Sequence, residues 1–299
     1  MDKELLSKLQ RINKSKNVNI FASQKVREWC PYLLNIIINQ FPKYKIVRNV
    51  SLIHNVDIII THIKNNIEYF SDNAINIVIS GENYMTKKKY DISISTLSEF
   101  NSYYNIYLPF LYMSLKEHKL SISSNDFINS KNNFCAFMYS YSFKHRLYYF
   151  DLVNSYMRVD AMGDSCNNTN ISSNRSLYNG DMTFLDEAIQ IYKDYKFVLA
   201  IENKMIDGYI TEKIINPLIA GSIPIYWGTN KIFEFINKDR IIYALDYDNG
   251  DELLRKIKEI NENDELFDRI VNEPIYCIDK DPEHIFKQYE TEISTLFSS

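Results

Sequence analysis

Residues 202–213 form a polar cluster that follows an apolar run, and they read ENKMIDGYITEK. The apolar run, Phe197 to Ile201, is typical of a buried strand, so the cluster begins where that strand ends. Thr211 is a residue type that caps helices, and it predicts a helix from Glu212 to Ala220. The free amide groups at a helix start bind phosphate, and Lys213 adds a positive charge there. The cluster therefore predicts a phosphate-binding site.

A second cation, Arg146, occupies a similar place in the chain. It follows another strand-like run, Phe134 to Tyr139, and lies near the start of a predicted helix. Because the carboxyl ends of parallel strands meet at one edge of a sheet, Arg146 and Lys213 are expected to bind a diphosphate together. Glu212 can accept hydrogen bonds from two neighbouring sugar hydroxyls, so these side chains suit a nucleotide-sugar diphosphate. On pattern alone, residues 211–213 can also be no more than a helix cap followed by a solvated lysine.

Apolar runs suited to buried strands recur in both halves of the chain and alternate with segments of helical spacing, such as Val26 to Phe41. This alternation predicts βα units around parallel sheets. The predicted strands are Val18 to Phe21, Lys45 to Val47, Val56 to Ile60, Ile75 to Ser80, Asp91 to Ser95, Phe134 to Tyr139, Met157 to Ala161, Phe197 to Ile201, Ile223 to Trp227 and Ile241 to Tyr243.

The stretch between the two halves, Ser121 to Asn133, is rich in serine and asparagine, which is the composition of a linker. We therefore predict an N-terminal domain over residues 1–125 and a C-terminal domain over residues 126–299, closed by a helix over His284 to Phe297. The predicted fold class is α/β, with two Rossmann-type βαβ domains facing a central cleft. Ligands of such folds bind in the cleft at the carboxyl ends of the strands.

The composition of the chain argues against several classes of protein. Its 299 residues carry a formal net charge of -4 with a pI of about 5.8, which argues against a nucleic-acid partner. No run approaches the roughly 20 apolar residues that span a membrane, and residues 1–30 lack a signal-peptide core, so we expect a cytoplasmic protein. The cysteines and histidines are too scattered for a metal site, and we interpret Asp246 to Asp248 as a turn.

The sequence from Phe197 to Gly228, FVLAIENKMIDGYITEKIINPLIAGSIPIYWG, resembles the signature of the α1,3-fucosyltransferases. That family's pattern reads roughly F-x-L-x-F-E-N, then Y-[IV]-T-E-K, a helix, and a [IV]-P-[IV]-x-W-G strand, in this order. Val159 to Gly163 resembles the family's V-D-x-x-G segment, and Ile79 to Asn83 with Asp91 to Ser95 resembles segments of its first domain. The resemblance implies a GT-B fold and an inverting transfer from GDP-fucose.

The resemblance also implies roles for individual residues. Glu82 matches the family's proposed general base, a carboxylate that takes the proton from the acceptor hydroxyl. The residues implied to bind the donor are Arg146 and Lys213 for the pyrophosphate, with Asn203, Tyr209 and Glu212 for the nucleotide and fucose. Because these cations and the helix amides can stabilise the leaving diphosphate, no cofactor and no divalent cation is expected to be required. Ile201 departs from the phenylalanine that the family more commonly has before Glu-Asn.

The implied function is transfer of L-fucose from GDP-fucose to a hydroxyl, O3 in our prediction, of GlcNAc or glucose in an oligosaccharide acceptor. Acceptor selection is expected in the first domain, around Trp29 to Tyr32 and the loop Asn83 to Lys89. Two alternatives stay open at this point. One is a glycosyltransferase of the same fold that uses another nucleotide sugar, and the other is an inactive module that binds nucleotide sugars or glycans.

Overall fold

The computed structural model describes residues 2–15, 17–65, 69–117, 131–170 and 184–298. The chain divides into two compact units. Unit 1 contains Met1–Glu117, Ile206–Tyr209 and Asp281–Ser299, and unit 2 contains His118–Met205 and Ile210–Lys280, in each case apart from the residues outside the described ranges. Each unit is built around one parallel β-sheet.

Helices and strands alternate between residues 102 and 227, as the apolar pattern predicts, whereas the four strands between residues 58 and 107 follow one another with no α-helix among the described residues. In chain order the helices and strands are α1 (Lys3–Asn13), β1 (Val18–Ala22), α2 (Gln24–Trp29), α3 (Pro31–Ile38), β2 (Tyr44–Val47), β3 (Ile58–His62), β4 (Ile75–Ser80), β5 (Tyr90–Ser95), β6 (Ser102–Tyr107), α4 (Phe110–Glu117), β7 (Asn133–Met138), α5 (Lys144–Asn154), β8 (Val159–Met162), α6 (Phe184–Tyr192), β9 (Tyr195–Ile201), α7 (Glu212–Ile219), β10 (Ile223–Trp227), β11 (Ile242–Tyr243), α8 (Gly250–Asn261), α9 (Asp264–Asn272) and α10 (Pro282–Phe297).

The described sheet of unit 1 has six parallel strands in the order β2-β1-β3-β4-β5-β6. Strands β3, β4 and β5 are buried along their whole length, with Ile58 of β3 opposite Ile75 of β4. Continuous isoleucine and valine runs of this kind are typical of parallel strands, because helices cover both faces of the sheet. The apolar runs in the sequence therefore identify these strands well.

Two local features of unit 1 differ from the sequence prediction. The segment of helical spacing over Val26 to Phe41 forms two helices rather than one, because α2 and α3 separate at Cys30, which has φ -132° and ψ 43°. A residue that precedes proline disfavours the helical conformation, so Pro31 explains the break. Strand β6 was not predicted, since its sequence SYYNIY is largely half-buried and contains no apolar run.

Helix α10 packs in unit 1, whereas the sequence prediction placed it in the C-terminal domain. Phe286 packs edge to face against Tyr32 of α3, with ring centroids 5.3 Å apart, and the Tyr289 hydroxyl donates a hydrogen bond to the Tyr107 carbonyl. The predicted apolar stripe is buried at Ile285, Tyr289, Ile293 and Phe297. Helical periodicity indicates that a face is buried, but it does not indicate which surface covers it.

The α/β class with two Rossmann-type units is confirmed. The division between the units falls after Glu117 rather than after residue 125, and residues 121–130 of the predicted linker lie outside the described ranges. None of the described helices is both long enough and apolar enough to cross a membrane.

The described sheet of unit 2 has five parallel strands in the order β11-β10-β9-β7-β8. The connection β7-α5-β8 runs toward one edge of this sheet, and the connection β9-α7-β10 runs toward the other edge. Because both crossovers are right-handed by rule, α5 and α7 lie on opposite faces of the sheet. The gap between β7 and β9 is therefore the point where the direction of winding reverses.

Replacing Phe286 by alanine tests the assignment of α10 to unit 1. Phe286→Ala is expected to lower the free energy of unfolding of unit 1 by about 3 to 5 kcal/mol, since truncating a buried aromatic leaves a cavity. Hydrogen exchange measured by mass spectrometry should accelerate in β1 to β6 and stay unchanged in β7 to β11. Ile278→Ala, at a side chain that is 89% exposed, is the control. Acceleration confined to unit 2 would contradict the assignment.

Candidate active site

The site forms at the carboxyl ends of β7 and β9, where these neighbouring strands move apart. Their backbone pairing ends at Ala136 opposite Val198, although β7 continues to Met138 and β9 to Ile201. In open α/β sheets, the crevice beyond the strands at the reversal of winding is where ligands bind. The local separation of these two strands provides that crevice in unit 2.

The Tyr139 hydroxyl replaces the backbone partner that β9 loses at this point. It accepts a hydrogen bond from the Ile201 amide at 2.6 Å and donates one to the Leu199 carbonyl at 2.7 Å. Burial raises the pKa of this phenol above its ordinary value, so the hydroxyl keeps the proton that it donates. The two strands can thus separate without leaving buried backbone groups unpaired.

A pocket of about 160 Å³ opens in this crevice, and all its lining residues belong to unit 2. Four of the residues predicted to bind the donor line it, namely Arg146, Asn203, Glu212 and Lys213. The other lining residues are Met138, Tyr139, Ser140, Tyr141, Ala188, Tyr192, Leu199 and Asn216. Side chains that follow different strands and helices in the sequence are thus brought together, as predicted.

Arg146 is only 2% exposed, yet carbonyl oxygens rather than carboxylates bind its guanidinium. Nε and Nη2 donate to the Ile201 carbonyl at 3.4 and 3.2 Å, and Nη1 donates to the Tyr141 carbonyl at 3.3 Å. Nη2 also donates to Asn203 Oδ1, and the guanidinium carbon lies 4.0 Å from the centroid of the Tyr139 ring. No carboxylate among the described residues forms an ion pair with Arg146. A buried positive charge in this state favours an anionic ligand.

The buried carboxylate of Glu202 joins the end of β9 to the start of α7. Its Oε1 accepts a hydrogen bond from the Thr211 amide at 2.8 Å. The Thr211 hydroxyl lies 3.0 Å from Oε1 and 2.9 Å from Oε2, and donates to this carboxylate. The same hydroxyl accepts a hydrogen bond from the Lys213 amide at 3.4 Å, which confirms the predicted helix cap.

Lys213 lies between two carboxylates at the start of α7, and its side chain is 15% exposed. Its Nζ is 3.6 Å from Glu202 Oε2 and 3.2 Å from Glu212 Oε1. Burial raises the pKa of Glu202 despite the opposing charge of Lys213. Burial also acts to raise the pKa of Glu212, but Lys213 and the amide at the helix start outweigh it, so that pKa lies below its ordinary value. The lysine is part of a charge network and is not solvated as the simple cap hypothesis requires.

His145, next to Arg146 in the sequence, contacts the backbone directly after the end of β9. Its Nε2 lies 3.0 Å from the Glu202 carbonyl oxygen and can donate a hydrogen bond to it. The imidazole stacks on the Trp227 ring, with centroids 4.3 Å apart and planes inclined by 25°. His145 therefore positions the strand end that carries Glu202 and Asn203.

Tyr209 lies in unit 1 and does not line the pocket. Its ring is buried in an apolar cluster with Val78, Tyr90, Leu97 and Phe100. The preceding Gly208 has φ +82°, and a Cβ there would lie 2.6 Å from Ser98 Oγ, so this turn requires glycine. The contact of Tyr209 with the donor stays a prediction.

Glu82, the predicted general base, follows β4 in unit 1. Its carboxylate forms an ion pair with Lys64 Nζ at 2.5 Å. At the same carboxyl end of this sheet, the Trp29 ring packs edge to face against His62, the last residue of β3, with ring centroids 5.2 Å apart. Trp29 is 48% exposed. Burial and the neighbouring lysines lower the pKa of His62 to about 4, so the imidazole is neutral near pH 7. The carboxyl end of the sheet of unit 1 therefore combines a carboxylate with an exposed aromatic ring.

Sequence reasoning did not identify three residues that shape the pocket. In the sequence, Glu202 follows a predicted strand and Tyr139 ends an apolar run, and neither pattern indicates the hydrogen bonds that these side chains form. Asn216 was overlooked because it lies in the middle of a predicted helix, where a single asparagine carries little information. The one available signal was its polar side chain among the apolar neighbours of α7, all buried from Ile214 to Ile219.

No group of three or more histidine, cysteine, aspartate or glutamate residues in the described ranges is placed to hold a metal ion. The prediction that no divalent cation is needed stays untested by the geometry.

Comparison with protein families and curated proteins identifies relatives of this chain. Residues 128–272 match the model of glycosyltransferase family 10 (fucosyltransferase), C-terminal part. The chain is 43% identical over 259 residues to "Putative fucosyltransferase R654" of Acanthamoeba polyphaga mimivirus. It is 32% identical over 119 residues to the GDP-fucose protein O-fucosyltransferase 3 of Homo sapiens. The matches cover 87% and 39% of this chain, but only 42% and 24% of those proteins.

Solved structures of similar fold include an α1,3-fucosyltransferase crystallised with GDP-fucose, with a TM-score of 0.71 and 18% sequence identity. That match covers 100% of this chain and 98% of the other. Another α1,3-fucosyltransferase crystal structure gives a TM-score of 0.72 at 20% identity, over 95% of this chain and 90% of the other. These structures confirm the predicted GT-B-like fold, and the family model together with the viral relative confirms the resemblance to the fucosyltransferases.

The charge network at α7 predicts how Lys213→Ala will affect stability. Loss of the ammonium leaves the buried Glu202 carboxylate without its cation, so we expect the ligand-free protein to lose about 3 kcal/mol of unfolding free energy. A solvated lysine would cost less than about 0.5 kcal/mol. Because the folded-state pKa of Glu202 is raised, its ionisation opposes folding as the pH rises. The unfolding free energy lost in Lys213→Ala should therefore grow as the pH rises above 4.5, the ordinary pKa of this carboxyl group.

Urea denaturation between pH 4 and 8 measures this loss. The double variant Lys213→Ala with Glu202→Gln is the control, and it should recover most of the stability because no buried charge is left unpaired. A loss that the second substitution does not reduce would contradict the proposed network.

Proposed function

We propose that this protein, whose residues 128–272 match the C-terminal model of glycosyltransferase family 10 (fucosyltransferase), transfers L-fucose from GDP-fucose to a hydroxyl of an oligosaccharide acceptor. The observation that carries the proposal is the pocket of unit 2, where buried Arg146 and Lys213 at the start of α7 line one cavity. The described part of the chain offers Arg146 no carboxylate partner. An α1,3-fucosyltransferase of similar fold, crystallised with GDP-fucose, supports the choice of donor.

In this proposal, the pocket binds the GDP part of the donor. Arg146 and Lys213 contact the diphosphate, and Asn203 holds Arg146 in place through its side-chain oxygen. Glu212, whose lowered pKa keeps it ionised near pH 7, accepts hydrogen bonds from the ribose hydroxyls. A cavity of about 160 Å³ is smaller than the roughly 300 to 1,000 Å³ of pockets that enclose whole ligands, so it takes only part of the donor.

The proposed reaction breaks the bond between the anomeric carbon of fucose and the oxygen of the β-phosphate. GDP leaves with added negative charge, which Arg146, Lys213 and the amides at the start of α7 stabilise electrostatically. These groups supply the charge that a metal ion supplies in other transferases, so we propose that neither a cofactor nor a divalent cation is essential.

Glu82 is proposed as the general base, which takes the proton of the acceptor hydroxyl as its oxygen attacks the anomeric carbon. Attack on the side opposite the leaving diphosphate inverts the configuration at that carbon. Lys64 holds the carboxylate through the ion pair at 2.5 Å. We propose O3 of GlcNAc or glucose as the attacking group, and the exposed Trp29 ring as an apolar face for the acceptor sugar.

A donor and acceptor screen tests this function. The protein is incubated with GDP-fucose and glycans that end in GlcNAc or glucose, with and without EDTA, and the product linkage is determined by NMR. We expect an α1,3-linked fucose and equal rates with EDTA. Transfer from another nucleotide sugar but not from GDP-fucose would refute the donor, whereas GDP binding without turnover would indicate an inactive binding module. Loss of activity in EDTA with rescue by one divalent cation would refute metal independence.

The role of Glu82 predicts a specific kinetic effect. Glu82→Gln is expected to lower turnover by roughly two to four orders of magnitude, the range for loss of a general base, with the affinity for GDP unchanged. Steady-state kinetics and calorimetry with GDP measure the two quantities. Glu99→Gln, at an exposed glutamate of the same unit, is the control and should behave like the wild type. Near-normal turnover of Glu82→Gln would remove Glu82 from the mechanism.

A further inference from the structure

Asn216 of α7 is a buried polar side chain whose acceptor is unused. The residue is 3% exposed, and its Oδ1 atom is buried without a hydrogen-bond partner. Its side chain nevertheless lines the pocket of unit 2. Buried polar atoms are nearly always hydrogen-bonded in folded proteins, because desolvation without a compensating bond costs free energy. An unpaired oxygen on a residue that lines a ligand pocket therefore points to a bond that the ligand completes.

The position of Asn216 on α7 indicates which part of the ligand it meets. Asn216 lies three and four residues after Lys213 and Glu212, so the three side chains share one face of the helix and all line the pocket. Thr211 and Lys213 mark the helix start, where phosphate binds, and Asn216 lies about one turn, roughly 5 Å, further along the axis. A nucleotide has the order phosphate, ribose, base, so its base lies away from the phosphates, as Asn216 lies one turn away from the helix start with Thr211 and Lys213.

The pocket wall beside Asn216 suits a flat ring. Ala188 and Tyr192 of α6 line the pocket and are buried, and Leu199 of β9 adds an apolar surface. None of these three side chains brings a charge into this part of the pocket. A planar base can pack against them and still present a polar edge to the amide of Asn216.

We propose that Asn216 Oδ1 accepts a hydrogen bond from an N–H group of the donor's guanine, and that this bond makes the pocket select guanine over other bases. The inference rests on the proposed use of GDP-fucose. Guanine presents a ring N–H beside its 2-amino group, and both donate. Adenine has a ring nitrogen acceptor in the corresponding place, which would face the amide oxygen unfavourably. Uracil has a ring N–H, but its single ring is shorter.

Calorimetry with GDP, IDP, ADP and UDP on the wild type and Asn216→Leu tests the proposal. Leucine keeps the approximate shape of asparagine but offers no acceptor. We expect the wild type to prefer GDP over ADP and UDP, and Asn216→Leu to lose about tenfold or more in GDP affinity with ADP and UDP unchanged. If IDP binds the wild type as tightly as GDP does, the ring N–H donates the hydrogen bond to Asn216. If IDP binds the wild type as weakly as ADP does, the 2-amino group donates it. Either result supports the proposal.

Two further variants separate recognition from a structural role. Asn216→Asp retains acceptor oxygens and should keep the preference for GDP. Asn216→Leu should unfold at the same temperature as the wild type or higher without ligand, since it removes an unpaired buried oxygen. Asn272→Leu, at an exposed asparagine of unit 2, controls for general effects of the substitution.

Three outcomes overturn the inference. The first is unchanged GDP affinity in Asn216→Leu, and the second is an equal loss for all four nucleotides, which would indicate a contact to ribose or a purely structural role. In both cases, a wild type that binds GDP and transfers fucose leaves the proposed function intact. The third is a wild type that does not bind GDP, and this overturns the proposed function as well.

Discussion

The site depends on one buried carboxylate, that of Glu202, which fixes where α7 begins relative to the end of β9. Its bonds to the amide and hydroxyl of Thr211 close the loop of ten residues, 202–211, between the strand and the helix. The helix start, the ammonium of Lys213 and the carboxylate of Glu212 are all placed by this closure. A buried charge is costly unless it is paired and hydrogen-bonded. Glu202 meets both conditions, and the loop has little freedom to take another path.

Much of the fold could be predicted from the sequence, because parallel strands buried on both faces leave continuous apolar runs. The strands Ile75–Ser80 and Ile223–Trp227 have the bounds that the sequence predicts. The half-exposed strand Ser102–Tyr107 leaves no such pattern. The position of α10 was also not predictable, since an amphipathic helix specifies a buried face and not the surface that covers it. Its place in unit 1 depends on long-range contacts such as that of Phe286 with Tyr32.

The site was predictable where its chemistry follows local rules. A cap residue, a helix start and a cation within three residues predicted the place of Lys213, and a strand followed by a helix predicted that of Arg146. The pairing of Lys213 with Glu202, which are eleven positions apart in the sequence, could not be read from the spacing. The same holds for Asn216, whose environment consists of residues from α6 and β9 as well as its own helix. Contacts of this kind arise only when separate elements pack together.

The phenol of Tyr139 has a consequence for how the crevice can vary among proteins of this fold. It sits between β7 and β9 as a spacer, and its hydroxyl must reach the Ile201 amide and the Leu199 carbonyl at once. The width of the crevice is therefore set by the length of one rigid ring rather than by the packing of flexible chains. A shorter side chain would let the strands pair further and close the pocket, while a longer one could not satisfy both backbone groups. The distance between the two strands that line the ligand cavity is thus fixed by this one side chain.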